Sequence, residues 1–354
     1  MKAFVLHGPE DMRFDGDRKR GELRAGDVLV RVRRTGICGS DVHYFLHGKI
    51  GEFVPREPFV LGHEFSGEVA EVGQGVAGLA PGDPIAIDPS IPCGRCVDCR
   101  GGRYNLCRDM RFVGSASCHP HIDGGFGEYV VVPADSCIPL PGGIDFGYAA
   151  LLEPLSVAVH AINRAAVTGG IAGRGVAGRT VVITGAGTIG YLVLLVARAY
   201  GASMVAVSDP EEFPREAALR AGADHAFTPT DDGLKQFSES NRIDIVVEVS
   251  GAPKALTEAI RIVRKGGTIV QVGTQPPLVE LPQNLIMSKE IALLGSLRSA
   301  HSIRPALDLA SSGRIDLKPV ISSVFPFSRF DEAMQTAVEK RRVIKVQVEQ
   351  ESGE

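Results

Sequence analysis

The chain has 354 residues, 44% of them hydrophobic and 23% charged, with a net charge of −4 at neutral pH. That length points to about two domains, each with enough apolar material for its own core. With no long basic run and no apolar run approaching a membrane span, the composition argues against nucleic acid, anionic membrane surfaces and a spanning helix.

In chain order, the first 150 residues are rich in Gly, Pro and short β-type runs: AFVL at 3–6, DVLVRVRR at 27–34, SGEVAEVG at 66–73, DPIAI at 83–87 and GEYVVV at 127–132. Such spacing predicts a compact, irregular β-rich lobe. The opening MKAFVLHGPEDMRF has no charged-then-apolar leader, and the thiol content suits a reducing compartment, so the expected location is the cytoplasm.

Within this lobe lies a first chemical cluster, Cys38-Gly-Ser40-Asp41-Val-His43-Tyr44, followed by Gly62-His63-Glu64. A thiol, an imidazole and a carboxylate make three protein ligands with a fourth position open, the arrangement of a catalytic zinc. Glu153, heading the next helix, is a further candidate, and two carboxylates at one metal suggest that one ligates directly while the other holds from outside. Which does which is left open by the sequence.

Four of the seven cysteines, Cys93, Cys96, Cys99 and Cys107, then fall within fifteen residues at C-x2-C-x2-C-x7-C spacing. Four thiolates close a tetrahedral shell, so a zinc held there is structural. A disulfide framework is the alternative, disfavoured by the chain length and the odd cysteine count. A zinc ribbon for nucleic acid is weaker, with only Arg95, Arg100 and Arg103 as cations on the loop.

Apolar spacing over 151–168 predicts a helix leaving the lobe, and GGIAGRGVAG at 169–178 reads as a flexible surface connection. From 179 the texture becomes strand, helix, strand: TVVIT at 180–184, a helix at 188–201, SMVAVSD at 203–209, RIDIVVEVS at 242–250, GTIVQVG at 267–273 and EIALLG at 290–295. Alternation of this kind predicts a parallel, doubly wound sheet. Gly185-Ala-Gly187-Thr188-Ile189-Gly190 follows the first strand directly and opens the helix, as a dinucleotide turn must. Asp209 closes the second strand, where a carboxylate accepts from a ribose diol and repels a 2′-phosphate, which favours NAD over NADP. Val272 and Gly273 complete the expected cofactor set. A terminal strand, VIKVQVE at 343–349, is expected to return to the first lobe.

CGSDVHY, GHEFSGEVAEVG, the cysteine loop, EPLSVAVHA and GAGTIG together resemble the zinc-dependent medium-chain dehydrogenases, in their polyol (sorbitol/xylitol) branch. GKIGEF, DMRFVGSA, HIDGGF and EVSGAP are similar to stretches of the bacterial L-idonate 5-dehydrogenases within that branch. The resemblance implies a GroES-like β-barrel catalytic lobe from 1–150 and 296–354, with a Rossmann domain at 151–295 between. It implies two zinc ions per subunit, NAD, a sugar-acid or polyol substrate and a homo-oligomer, tetramer or dimer. Cys38, His63, Glu64 and Glu153 match the catalytic-zinc positions, and Ser40 and His43 the proton relay. Arg298 matches a substrate-contacting position, and its guanidinium suits a sugar-acid carboxylate; Tyr44 and Phe112 are expected to shape the pocket. Neutral-polyol oxidation and a non-catalytic NAD redox sensor are the alternatives. After Asp209 the chain departs from the family, with PEEFPR where a basic residue is usual, and the 169–178 stretch is longer than the family's. Cys118 and Cys137 are expected to fill the core, and His119 and His121 to be loop residues, with an adventitious metal site as their alternative.

Overall fold

A computed structural model describes residues 1–167, 175–229 and 232–351. Apart from a turn over 175–178, the glycine-rich connection expected at 169–178 lies outside the described residues. The fold is α/β and divides into two compact units, 1–153 with 321–354, and 154–320.

The first unit is built on a seven-stranded sheet. Its centre is Asp27–Gly36, whose alternation of valine or leucine with arginine sends one face to the core and the other outward. It pairs antiparallel with Glu64–Val72, Tyr129–Pro133 and the terminal strand Lys345–Glu349. Register shifts after Leu29 and after Val32 mark irregularities that twist the strand and help the sheet to curl. Val28, Val30, Val32, Phe65, Ile85 and Val130 fill one core. A second core gathers Phe4, Phe59, Phe126, Phe327 and Phe330, with the Phe4 and Phe330 rings stacked 4.2 Å apart.

The second unit carries a six-stranded, wholly parallel sheet in the order His225–Phe227, Met204–Ser208, Thr180–Thr184, Ile245–Glu248, Thr268–Gln271, Ala292–Gly295. This is the doubly wound order, with its switch point beside Thr180–Thr184, where ligands bind at the carboxyl ends of strands. The inner strands TVVIT, MVAVS and IVVE are largely apolar and rich in β-branched residues, as suits a sheet buried on both faces. The edge strand His225–Phe227 is only three residues long and has no apolar run, so its sequence gives little strand signal.

The segment 296–320, assigned to the catalytic lobe in the sequence reading, falls with the second unit. Its helix Ile303–Ser311 buries Ile303, Ala306, Leu307 and Leu309, and Arg314 donates to the Ala199 carbonyl at the end of helix Thr188–Ala199. A helix with one apolar face follows the sheet it packs on, and the chain passes to the first unit only at Ile321. Among the described residues no helix is long and apolar enough to cross a membrane.

Phe330 is 1% exposed, stacked on Phe4 and edge-on to Phe126. Phe330→Ala should destabilise by about 3–5 kcal/mol. Equilibrium urea unfolding followed by circular dichroism checks this; a loss under about 1 kcal/mol would show that the site collapses around the cavity.

Candidate metal and cofactor sites

The cysteine loop springs from a two-stranded clamp in which Ser90 faces Phe112 and Ile91 faces Arg111. The ligand atoms of Cys93, Cys96, Cys99 and Cys107 all lie within 4.8 Å of one another, and all seven cysteines are free thiols. Backbone N–H groups aim at the sulfurs: Cys93 donates to Cys107 at 3.2 Å and Cys99 to Cys96 at 3.5 Å. The amide of Cys99 first of all draws the Cys96 thiol down to about 6, whereas burial pushes Cys99 up to about 12. Convergent sulfurs braced by amides fit a tetrahedral Zn²⁺ with no open position.

The second cluster is assembled from two turns. Cys38 is the N-cap of helix Gly39–His47, and its amide donates to the Asp41 carboxylate at 2.9 Å, closing a capping box. His63 and Glu64 enter strand Glu64–Val72 through Gly62, whose φ of +94° and closeness to Phe126 leave no room for a Cβ. Ligand atoms of Cys38, His63 and Glu64 again lie within 4.8 Å of one another.

Around them the charges are almost fully buried. Glu64 and Lys345 are 1% and 3% exposed, with the ammonium 2.6 and 2.9 Å from the two carboxylate oxygens and 3.0 Å from the Ile37 carbonyl. Burial pushes Asp41 up to about 6 against the pull of His63. Burial opposes a charged His63, but Asp41 and Cys38 outweigh it and hold the imidazole well above its usual value. Glu153 is pushed up to about 7, mainly by burial, with His63 opposing and Glu64 and Asp88 adding repulsion. His63 Nδ1 and Asp41 Oδ1 are buried without a hydrogen bond, 3.6 Å apart. One thiol, one imidazole and a surplus of buried carboxylates form a donor set that fits a divalent cation.

Both oxygens of Glu64 are engaged by Lys345, so any bond from Glu64 to a metal shares an oxygen with the ammonium. Lys345 was not singled out in the sequence; its signal is a lysine at an inward position of the alternating strand VIKVQVE. Asp41 carries a signal of its own, since its place three residues after an N-cap is a capping position.

Ser40 and His43 stand three apart on the helix that Cys38 caps, Ser40 half-buried and His43 exposed. Burial first, then His47 and Lys340, lowers the pKa of His43, so it is a neutral proton acceptor at pH 7. Phe112 lies edge-on to His63 at 5.7 Å, and its backbone is held by the Cys118 thiol. Tyr44 differs from expectation: it is 1% exposed, in the core, with its hydroxyl 3.3 Å from Ser115 Oγ. An aromatic ring on the inward helix face is claimed by packing, so Tyr44 backs the wall without forming an open surface. His121 has both ring nitrogens occupied, by the Cys118 carbonyl and the Arg56 amide, and His119 sits 3.7 Å from Glu57. Cys137 is core, its thiol pushed up to about 12 by burial.

In the second unit, Gly185 has φ +102°, and a Cβ on Gly190 would strike the Gly185 carbonyl, so only glycines close this turn. Nothing lies within 4 Å of where a Cβ on Gly187 would stand, which leaves room for a pyrophosphate beside Thr188 and Ile189 at the helix start. Asp209 accepts from the Ala186 amide at 2.7 Å and from the Glu211 amide at 2.9 Å, so it pins the turn and keeps spare lone pairs for a diol. Arg215 is turned onto the carbonyls of Asp209 and Pro210, 2.7 Å from each. Val272 and Gly273 donate to the Glu248 carbonyl. Glu248 itself went unremarked in the sequence: fully buried at a strand end, its carboxylate accepts from Ser250, Gly251 and Gln275 and joins the two loops beyond the switch point. A carboxylate inside the apolar run IDIVVEV was the available signal. Arg298 lies in this unit, half-buried, with φ +51°.

Two family models match the chain: the alcohol dehydrogenase GroES-like domain over residues 24–142 and the zinc-binding dehydrogenase over 188–312. D-xylulose reductase A of Aspergillus oryzae is 39% identical over 341 residues, covering 94% of this chain and 92% of the relative. Among solved structures, L-idonate 5-dehydrogenase from Escherichia coli superposes with a TM-score of 0.87 at 33% identity, covering 98% of this chain and 97% of that one. A protein of Sinorhizobium meliloti, described as a zinc-binding dehydrogenase and bound to NADP, gives 0.88 at 33% identity and 98% of each chain.

Lys345→Met should cost about 3–5 kcal/mol in chelator-treated protein, because it leaves Glu64 buried and unpaired. The double variant with Glu64→Gln should recover most of that loss in urea unfolding. Equal losses in the single and double variants would show that the pair is not what stabilises this corner.

Proposed function

We propose, from the premise that this chain belongs to the zinc-binding alcohol dehydrogenase family and is an oxidoreductase, that it oxidises a secondary alcohol of a sugar acid with NAD, and that the reaction is L-idonate to 5-keto-D-gluconate. The observation that carries the chemistry is the Cys38–His63–Glu64 cluster, half-buried at the thiol and buried at the other two, with the Asp41 carboxylate behind the imidazole. A zinc ion there would be held by Cys38, His63 and a carboxylate from Glu64 or Glu153, with the four-cysteine loop holding a second. When bound, zinc supplies Lewis acidity toward the substrate hydroxyl, and the nicotinamide supplies the hydride acceptor.

The protein's own groups do the remaining work. Ser40 accepts the hydroxyl proton as it passes its own onward, and His43, neutral and exposed on the same helix, accepts the relayed proton and releases it to solvent. Asp41 orients His63, so the ring presents one nitrogen to the metal. Phe112 shields that ring from water on one side. Gly185, Gly187 and Gly190 admit the pyrophosphate, and Asp209 takes the adenosine ribose. Arg298 binds the substrate carboxylate through its guanidinium; a carboxylate-bearing substrate is supported by the likeness to L-idonate 5-dehydrogenase. The same reading makes the protein a cytoplasmic homo-oligomer, dimer or tetramer.

Neutral-polyol oxidation is the second reading, favoured by 39% identity to a D-xylulose reductase. Initial rates on L-idonate and xylitol separate the two. Arg298→Ala should lower kcat/KM for L-idonate by about 10- to 100-fold, the worth of a charge-assisted hydrogen bond, while xylitol changes less than about twofold. Equal losses on both would defeat the carboxylate role. Asp209→Asn should raise kcat/KM with NADP relative to NAD by about tenfold or more, by removing charge repulsion of the 2′-phosphate. An unchanged cofactor ratio would mean that Asp209 serves the turn alone.

A further inference from the structure

The helix Leu152–Val167 places Ser156, His160 and Arg164 at successive four-residue intervals, along one face. Each meets the short segment that follows strand Ala292–Gly295. Arg164 Nε donates to the Gly295 carbonyl at 3.2 Å and Ser156 Oγ donates to Ser299 Oγ at 2.9 Å, while the His160 ring stands against the backbone of Ala300, which acts on its titration. Ser302, fully buried, adds a bond from its hydroxyl to the Ala300 carbonyl at 2.9 Å. Side chains of one helix, together with Ser302, therefore converge on residues 295–300.

The stretch needs that support. Arg298 and His301 are both in the left-handed region, with φ of +51° and +55°. Each costs of order 1–3 kcal/mol for a residue with a Cβ and persists only where the surroundings over-determine it. A β-carbon and a long side chain at the first of these positions make the backbone direction, and so the direction of the guanidinium, a property of the tethers. Ser156 is buried, and the pKa of His160 is lowered by burial and by Arg164 against the opposing pull of the Ala300 backbone.

We infer that Ser156, His160 and Arg164 form a rail of positioning residues that presents Arg298, and that they thereby set the preference for carboxylate-bearing over neutral substrates. The inference rests on the reading of Arg298 as the carboxylate receptor. None of the three rail residues touches substrate; each acts through the segment 295–300, Ser156 by way of the Ser299 side chain.

The test uses the zinc- and NAD-loaded enzyme with Ser156→Ala, His160→Leu, His160→Gln and, in parallel, Arg298→Ala. Two quantities are read: the ratio of kcat/KM for L-idonate to that for xylitol, and amide hydrogen exchange across 296–301. Ser156→Ala and His160→Leu should each speed exchange in that segment and lower the ratio by about tenfold, in line with the cost of a small misplacement, with xylitol turnover within about twofold of the parent. His160→Gln, which keeps an N–H donor, should restore most of the ratio. If Arg298→Ala lowers the ratio and the rail variants do not, the rail is overturned while the carboxylate reading stands. If Arg298→Ala leaves the ratio unchanged, the carboxylate reading falls, and the selectivity role falls with it, whatever the exchange data show. Parallel loss on both substrates in the rail variants overturns the inference in favour of a purely structural role. Ser156→Ala removes only one oxygen, so it keeps the test decisive should His160→Leu fold poorly.

Discussion

The buried pair between Lys345 and Glu64 organises the whole metal corner of the first unit. One ammonium bonds the carboxylate beside His63 and the carbonyl beside Cys38, so the two turns that carry the thiol and the imidazole are tied to one point. The lysine comes from the terminal strand, nearly three hundred residues after the glutamate, and reaches it because Lys345–Glu349 and Glu64–Val72 both flank Asp27–Gly36. Gly36, opposite Glu64 in the ladder, completes the arrangement, since a Cβ there would collide with the Glu64 carboxylate. A buried ion pair is weak support for stability when compared with apolar packing, but removing one partner is costly. Its value here is geometric.

The same device recurs through the molecule: an acid that accepts from nearby backbone amides, or from a single base, fixes a turn that offers something else to a ligand. Asp41 holds the turn of Cys38, Asp209 the glycine turn, and Glu248 the two loops beyond the switch point. In each case a charge-assisted hydrogen bond does what a neutral one would do less firmly. The result is that ligand-facing groups such as Cys38, His63 and Gly187 are carried on backbone already locked, at little further entropic cost on binding.

Much of this was legible in the chain. Cysteine spacing identified the four-sulfur loop, because ligands for a tetrahedral ion on one short loop need only local geometry. TVVIT and GAGTIG were legible for the same reason: strand, turn and helix start are contiguous. The joint occurrence of Cys38 with His63 and Glu64 was readable as chemistry, although the residues meet only through pairing of Asp27–Gly36 with Glu64–Val72. Tyr44 lies in the core, and the sequence could not show this, since an aromatic in a ligand motif looks the same whether it faces a pocket or a core. The segment 296–320 was assigned to the wrong side of a boundary, because an amphipathic helix does not announce which sheet it will cover.

What the sequence determined by itself is the set of donors and the class of each turn: thiols at fixed spacing, a glycine turn after a buried strand, an acid at the next strand end. These follow from covalent reach and backbone sterics, which act over a few residues. Only the tertiary structure decided which charge balances which. That Lys345 answers Glu64, that Asp41 stands behind His63, and that Ser156, His160 and Arg164 hold the strained backbone around Arg298 depend on partners far apart in the chain. Such pairings are set by register and packing, and the low dielectric of the interior makes their charges matter.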